Sequence, residues 1–190
     1  MNFNSQILIP LFIALGAFPD PKSVFIDLKI LSLARRGHTI YILSNYPGNR
    51  RRLKKIRSLE PDLNLYPKPS LISRNKWLNI IYRMIAFPFL LVKALIIAPK
   101  NSFYTIRDIL YTDEIKIAFY KIFRQLNLIT LANKAQIIHF EWNNQATNYL
   151  EALKYLEKPI VVSIRGRGIS AQPLIDKNLA KKLPVLFERA

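Results

Sequence analysis

His139, Glu141 and Asn143 occupy alternate positions at and just beyond the end of a short apolar run, Ala135 to His139, and Arg165 and Arg167 flank Gly166 directly after a second run, Ile160 to Ile164. An imidazole and a carboxylate so close together suit proton transfer or the orientation of a hydroxyl group. Two guanidinium groups around a glycine suit a phosphate or carboxylate, because the glycine admits close backbone approach and each fork offers paired donors. Asn143 and Asn144 could bind ligand hydroxyls or cap the helix that follows. Plainer readings stand beside these: arginines that face water, and a histidine satisfied within the structure.

Positioning those groups requires two strands with a helix between them. The run through Ala135 to His139 and the β-branched run Ile160 to Ile164 read as strands. Tyr149, Leu150, Leu153 and Leu156 share one helical face between them. A strand–helix–strand order predicts a parallel pair with a right-handed crossover. Ligands of open parallel sheets bind where strands end at their carboxyl edges, which is where His139, Glu141, Asn143, Arg165 and Arg167 fall.

The rest of the chain repeats the pattern. Gln6 to Phe18 is almost wholly apolar, but Met1 to Gln6 carries no basic side chain, as a signal peptide would, and the stretch is short for a membrane span; it reads as a first buried strand. Ser23 is placed to cap a helix over Val24 to Arg36, with Arg35 and Arg36 favouring the negative end of its dipole and Gly37 closing it. Thr39 to Leu43 is a second strand and Leu63 to Tyr66 a short third. The expected fold class is therefore α/β, a parallel sheet flanked by helices in a single domain spanning residues 1–190.

Composition narrows the partners. The 190 residues are 51% hydrophobic, which excludes a mainly disordered chain. There is no cysteine, and two histidines, His38 and His139, are too few and too far apart in sequence to suggest a metal site. A net charge of +17 implies an anionic partner, for which membranes, nucleic acids and nucleotide sugars all qualify. Asn49 to Ser58 holds six basic residues, read either as a solvated helix face anchored by Leu53 and Ile56 or as a surface that turns Arg51, Arg52 and Lys55 toward anionic lipid. No zinc-finger, KH or RRM signature accompanies it, so no specific nucleic acid is expected.

Trp77 to Ala98 is apolar enough to resemble a transmembrane helix. Arg83 and Lys93 within it and Pro88 at its middle favour a kinked helix instead, covering the sheet or lying on a bilayer with Trp77 and Arg83 toward the lipid. Ser102 to Leu126 continues as helix with a break near Tyr111 to Asp113, and Ala171 to Lys182 forms a further helix before a last apolar turn, Leu183 to Ala190.

Three segments, in order, resemble the N-terminal domain of family 4 glycosyltransferases, whose two Rossmann-like domains form the GT-B arrangement. They are Phe18-Pro19 with Lys22-Ser23-Val24-Phe25-Ile26 leading to Leu33-Ala34-Arg35-Arg36-Gly37-His38, then Ala135-Gln136-Ile137-Ile138-His139-Phe140, and then Ile160 to Ile169. The resemblance covers nearly the whole chain and is nearest to the branch that builds exopolysaccharides and other surface glycans. It implies an acceptor-side half of a transferase that moves a sugar from a nucleotide sugar to a glycan or lipid-linked acceptor. The C-terminal nucleotide-sugar domain is absent from these 190 residues, so the chain is expected to be incomplete, inactive alone and completed by a separately encoded or continuing domain.

By the same resemblance His139, Gly166, Ser23 and the Arg36-Gly37-His38 turn carry over by position; with Glu141, Asn143, Arg165 and Arg167, taken from their own chemistry, the catalytic candidates are His139 and Glu141 and the substrate-binding ones Ser23, Asn143, Arg165, Gly166 and Arg167. No cofactor is implied beyond the nucleotide-sugar donor, and the location is cytoplasmic, on the inner face of the plasma membrane. The chain departs from the family where a second-loop histidine is Arg165, an aspartate is Gly168, a second histidine after the fourth strand is Glu141, and a first-loop glycine pair is Phe18-Pro19-Asp20-Pro21. The rival reading is a non-enzymatic basic module that binds anionic membrane or nucleic acid through Asn49 to Arg57 and Trp77 to Ala98.

Overall fold

Local chemistry sets most element ends. Helix α1 (Val24–Arg35) stops in a Schellman turn: His38 N–H donates to the Leu33 carbonyl at 3.3 Å, Gly37 N–H to Ala34 at 2.9 Å, and Gly37 takes φ 88°, a conformation open to glycine. The Asn49 side chain caps α2 (Arg50–Leu59), accepting from Arg52 N–H at 3.1 Å. Asn75 does the same for α3 (Lys76–Ile97), which runs unbroken past Pro88. The computed structural model describes residues 11–19, 24–69, 75–164 and 172–190.

The protein is mixed α/β. Strands β1 (Leu11–Phe18), β2 (Ile40–Pro47), β3 (Leu65–Pro69), β4 (Ile137–Phe140) and β5 (Ile160–Val162) form one sheet of order β3-β2-β1-β4-β5, with every pair parallel. The second strand extends four residues beyond the expected Thr39 to Leu43, and the third begins two residues later than expected and takes in Pro67 and Pro69. Prolines two apart are tolerated there because β3 is an edge strand whose outward N–H groups have no ladder to join.

Three helices fill the crossover from β3 to β4: α3, α4 (Pro99–Thr112) and α5 (Ile115–Ala132), the last two separated at Asp113-Glu114, close to the expected break. After β4 come α6 (Asn143–Ala146), a 3-10 turn (Thr147–Tyr149) and α7 (Leu150–Leu153). The chain closes with α8 (Gln172–Ile175) and α9 (Lys177–Arg189). Here the sequence reading is corrected. Asp176 interrupts the expected helix by capping α9 through Asn178 and Leu179 N–H groups, and Leu183 to Arg189 continues α9 with Leu179, Leu183 and Leu186 buried. Arg189 ties α9 to the Leu153 and Leu156 carbonyls.

Alternation along the strands divides the interior in two. Ile40 and Ile42 join Phe18, Ile26, Ile30 and Leu31 beneath α1 and α2. Leu43, Ile138 and Phe140 face the other way, into a larger core with Leu126, Ile129 and Ala132 of α5. Helix α5 packs against the sheet and α3 lies outside it, joined by the ring pairs Tyr82–Phe123 and Phe87–Phe119. Because β1 pairs with β2 on one side and β4 on the other, the order of the strands reverses between β1 and β4, the place at whose carboxyl edge open parallel sheets bind ligands.

Candidate functional site

Four elements, β1, β4, β5 and α1, meet at this edge of the sheet. Ile13 pairs in register with both Ile42 and His139, so His139 projects to the α1 side of the sheet while Phe140 enters the core beneath α5. One helical turn of α1 carries Lys29 over this edge, and the strand next to β4 brings Ser163 alongside, its N–H bonded to the Phe140 carbonyl at 2.8 Å.

Lys29, His139, Glu141 and Ser163 converge. The Lys29 Nζ donates to Glu141 Oε1 at 2.6 Å and lies 3.5 Å from His139 Nε2, which is also 2.9 Å from Ser163 Oγ. His139 Nδ1 is 3.8 Å from Glu141 Oε1. An ammonium can only donate, so Nε2 of His139 faces Lys29 as an acceptor. The Glu141 side chain has no solvent exposure, whereas Lys29 is 33% exposed. A buried carboxylate thus fixes an ammonium that stays partly open to solvent.

This changes the division of labour. His139 and Glu141 are together, as the spacing predicted, but Glu141 is engaged as an anchor for Lys29, leaving the rim of His139 as the group able to orient a hydroxyl or take its proton. Asn143 is buried in the first turn of α6 and does not cap it; Trp142 occupies the cap position, and no side chain caps the helix. Asn144 lines a polar hollow of about 250 Å³ with Asn148, Asp176, Asn178 and Lys182. Ser23, Arg165, Gly166 and Arg167 lie outside the described residues.

The residues expected to face lipid separate. Arg51 and Lys55 are exposed on α2, while Arg52 sits 3.4 Å from the buried Asp27 carboxylate. Trp77 is exposed, but Arg83 turns inward and lays its guanidinium over the Tyr120 ring at 4.2 Å. Helix α2 packs with the smaller core and α3 with the larger, so the basic run and the apolar helix serve opposite sides of the sheet.

Lys29 and Ser163 were not among the residues singled out from the sequence. Lys29 lies three residues after Ile26, on the packed side of α1, where a lysine signals a buried partner. Ser163 is the one hydroxyl in an otherwise apolar run. Among the described residues no group of three or more His, Asp or Glu side chains could hold a metal ion. Comparison with known proteins finds no matching family, no matching curated protein and no matching solved structure.

Proposed function

We propose that this chain is the acceptor-side, Rossmann-like half of a GT-B glycosyltransferase, acting on a glycan or lipid-linked acceptor in surface-polysaccharide synthesis at the cytoplasmic face of a membrane. The observation that carries the reading is the Lys29–Glu141–His139–Ser163 group at the reversal point of a parallel sheet, where such folds place ligands. Sugar transfer from a nucleotide sugar needs compensation of charge on a departing diphosphate and alignment of an acceptor hydroxyl. The Lys29 ammonium, fixed by Glu141, supplies the first without reorganising. His139, held between Ser163 and Glu141, orients the acceptor hydroxyl and draws its proton. The nucleotide sugar itself is held by a second domain that closes over this edge of the sheet.

The rival reading, a non-enzymatic basic module, gives no role to a buried ion pair at the sheet edge, although the exposed face of α3 favours its membrane component. The two readings part in one experiment. The DNA beyond the Ala190 codon is sequenced, and the chain, joined to or co-expressed with the α/β domain encoded there, is assayed in membranes with a panel of radiolabelled nucleotide sugars. Transfer that falls at least about 100-fold in His139→Ala, the usual scale for a lost acid–base group, supports the enzyme. Absence of such a domain together with absence of transfer overturns it.

A further inference from the structure

Helix α3 presents its apolar side outward. Asn79, Tyr82, Ala86, Leu90 and Ala94, spaced three to four apart, pack inward with α4 and α5. The opposite face is formed by Trp77, Ile81, Met84, Phe89, Val92 and Ile96, among others, with Trp77 74%, Phe89 75% and Ile96 76% exposed. Among the described side chains of α3, Lys93 is the one exposed residue that is not apolar. A helix on a water-facing surface carries polar residues on that side, and contiguous apolar patches of this kind mark an interaction site.

We propose that the outer face of α3 docks the domain on an anionic lipid bilayer, lying in the plane of the interface. Charge identifies the occupant. From Leu63 to Arg107 the sequence holds seven Lys and Arg and no Asp or Glu, and Lys93 and Lys100 are exposed beside the apolar face. Acyl chains accept the stripe while anionic headgroups accept the cations. A second copy of the chain is a poor occupant, since it would bring another +17 against the same cations.

Length and hydropathy alone would let Trp77–Ile97 cross a membrane, but the inner face forbids it. Arg83 is stacked on Tyr120 of α5, and Ser102 Oγ donates to the Ala94 carbonyl at 2.9 Å, binding α3 to the domain. Crossing would carry Lys121 and Arg124 of α5 toward hydrocarbon. The docking itself does not depend on the sugar chemistry proposed above.

The full chain with Trp142→Phe, which leaves Trp77 as its single tryptophan, is mixed with phosphatidylcholine vesicles with and without phosphatidylglycerol. Binding is read by co-sedimentation and by Trp77 fluorescence with brominated acyl chains as quenchers. The expected result is preference for the anionic vesicles, quenching of Trp77, and at least about tenfold weaker binding in Phe89→Glu/Ile96→Glu, whose thermal unfolding by circular dichroism matches the parent. Lys93→Gln and Lys100→Gln each weaken binding roughly fivefold, and Arg51→Gln/Lys55→Gln leaves it unchanged. Failure of the full chain to bind anionic vesicles overturns the proposal. So does binding that survives Phe89→Glu/Ile96→Glu, or a lipid-free dimer in sedimentation velocity that this pair of substitutions converts to monomer.

Discussion

The Nζ of Lys29 lies 2.6 Å from Oε1 of Glu141, a carboxylate without solvent exposure, across 112 positions of the chain. Removing one member of a buried pair strands the other, at about 3–5 kcal/mol when both are fully enclosed. Lys29 is one-third exposed, so water relieves part of that cost. Lys29→Met should therefore lose about 2 kcal/mol in urea unfolding, and Lys29→Met/Glu141→Leu should recover most of it. A Lys29→Met chain as stable as the parent would show that other groups hold the carboxylate.

Gly48 is expected to reject even a methyl group. A Cβ at that position would sit 2.0 Å from the Phe18 carbonyl oxygen and 2.5 Å from Pro19 N, both backbone atoms, and the adjoining Asn49 N–H is bonded to the Pro19 carbonyl at 3.0 Å. Gly48→Ala must spread the loops that follow β1 and β2, costing about 1–3 kcal/mol, the usual range for overpacking. Thermal unfolding checks this, and an unshifted midpoint would contradict the close approach.

Gln125 is fully buried on α5 and makes three bonds to the helical run after β4. Its Nε2 donates to the Asn148 carbonyl at 2.9 Å and to Glu151 Oε2 at 3.0 Å, and its Oε1 accepts from Ala152 N–H at 3.2 Å. Gln125→Met keeps the volume and removes all three, which predicts a loss of about 2 kcal/mol. Hydrogen exchange should accelerate first across residues 147–153, the segment those bonds hold.

The Tyr155 hydroxyl donates to Asp108 Oδ2 at 2.5 Å, tying α4 to the turn after α7. This bond, aided by Arg107, holds the Asp108 carboxyl below its ordinary value, and the same bond raises Tyr155. A depressed carboxylate stabilises the fold above its unfolded pKa and ceases to as pH falls through the folded one, so this contribution fades below about pH 4. A raised phenol stabilises below its unfolded pKa and loses that effect above about pH 10. In Tyr155→Phe the alkaline limb should shrink, Tyr149 keeping the remainder, and Asp108 should titrate higher by NMR. An unmoved Asp108 would assign its shift to Arg107 and Lys154 instead.

What could be read from the sequence was whatever is decided within a few residues. Gly37 as a helix stop, a basic helix within Asn49 to Ser58 and a break near Tyr111 to Asp113 all rest on local backbone chemistry, and the structure has the first two and sets the break at Asp113-Glu114. The direction of a side chain that depends on a distant partner was out of reach. Lys29 gains its meaning from Glu141, which arrives only when β4 pairs with β1, and Arg83 turns inward only because Tyr120 is there to receive it. The apolar character of Trp77 to Ala98 was plain, but which side of it faces out is set by α5. Asn143 illustrates the limit of spacing: a helix start was expected beside it, yet the cap fell to Trp142 and the amide went into the interior.

The three-helix crossover between β3 and β4 also bears on how the chain is made. Leu11 must pair with Ile137, so as the protein emerges from the ribosome, β1, β2 and β3 are complete long before the strand that covers the far side of β1. At about 5–20 residues per second, the helices that intervene delay β4 by several seconds or more. Throughout that interval the central strand of the finished sheet is an open edge, able to pair with any extended segment it meets. The same helices expose an apolar face as they emerge, so a nascent chain of this design benefits from being captured, by chaperone or by membrane, before its sheet can close.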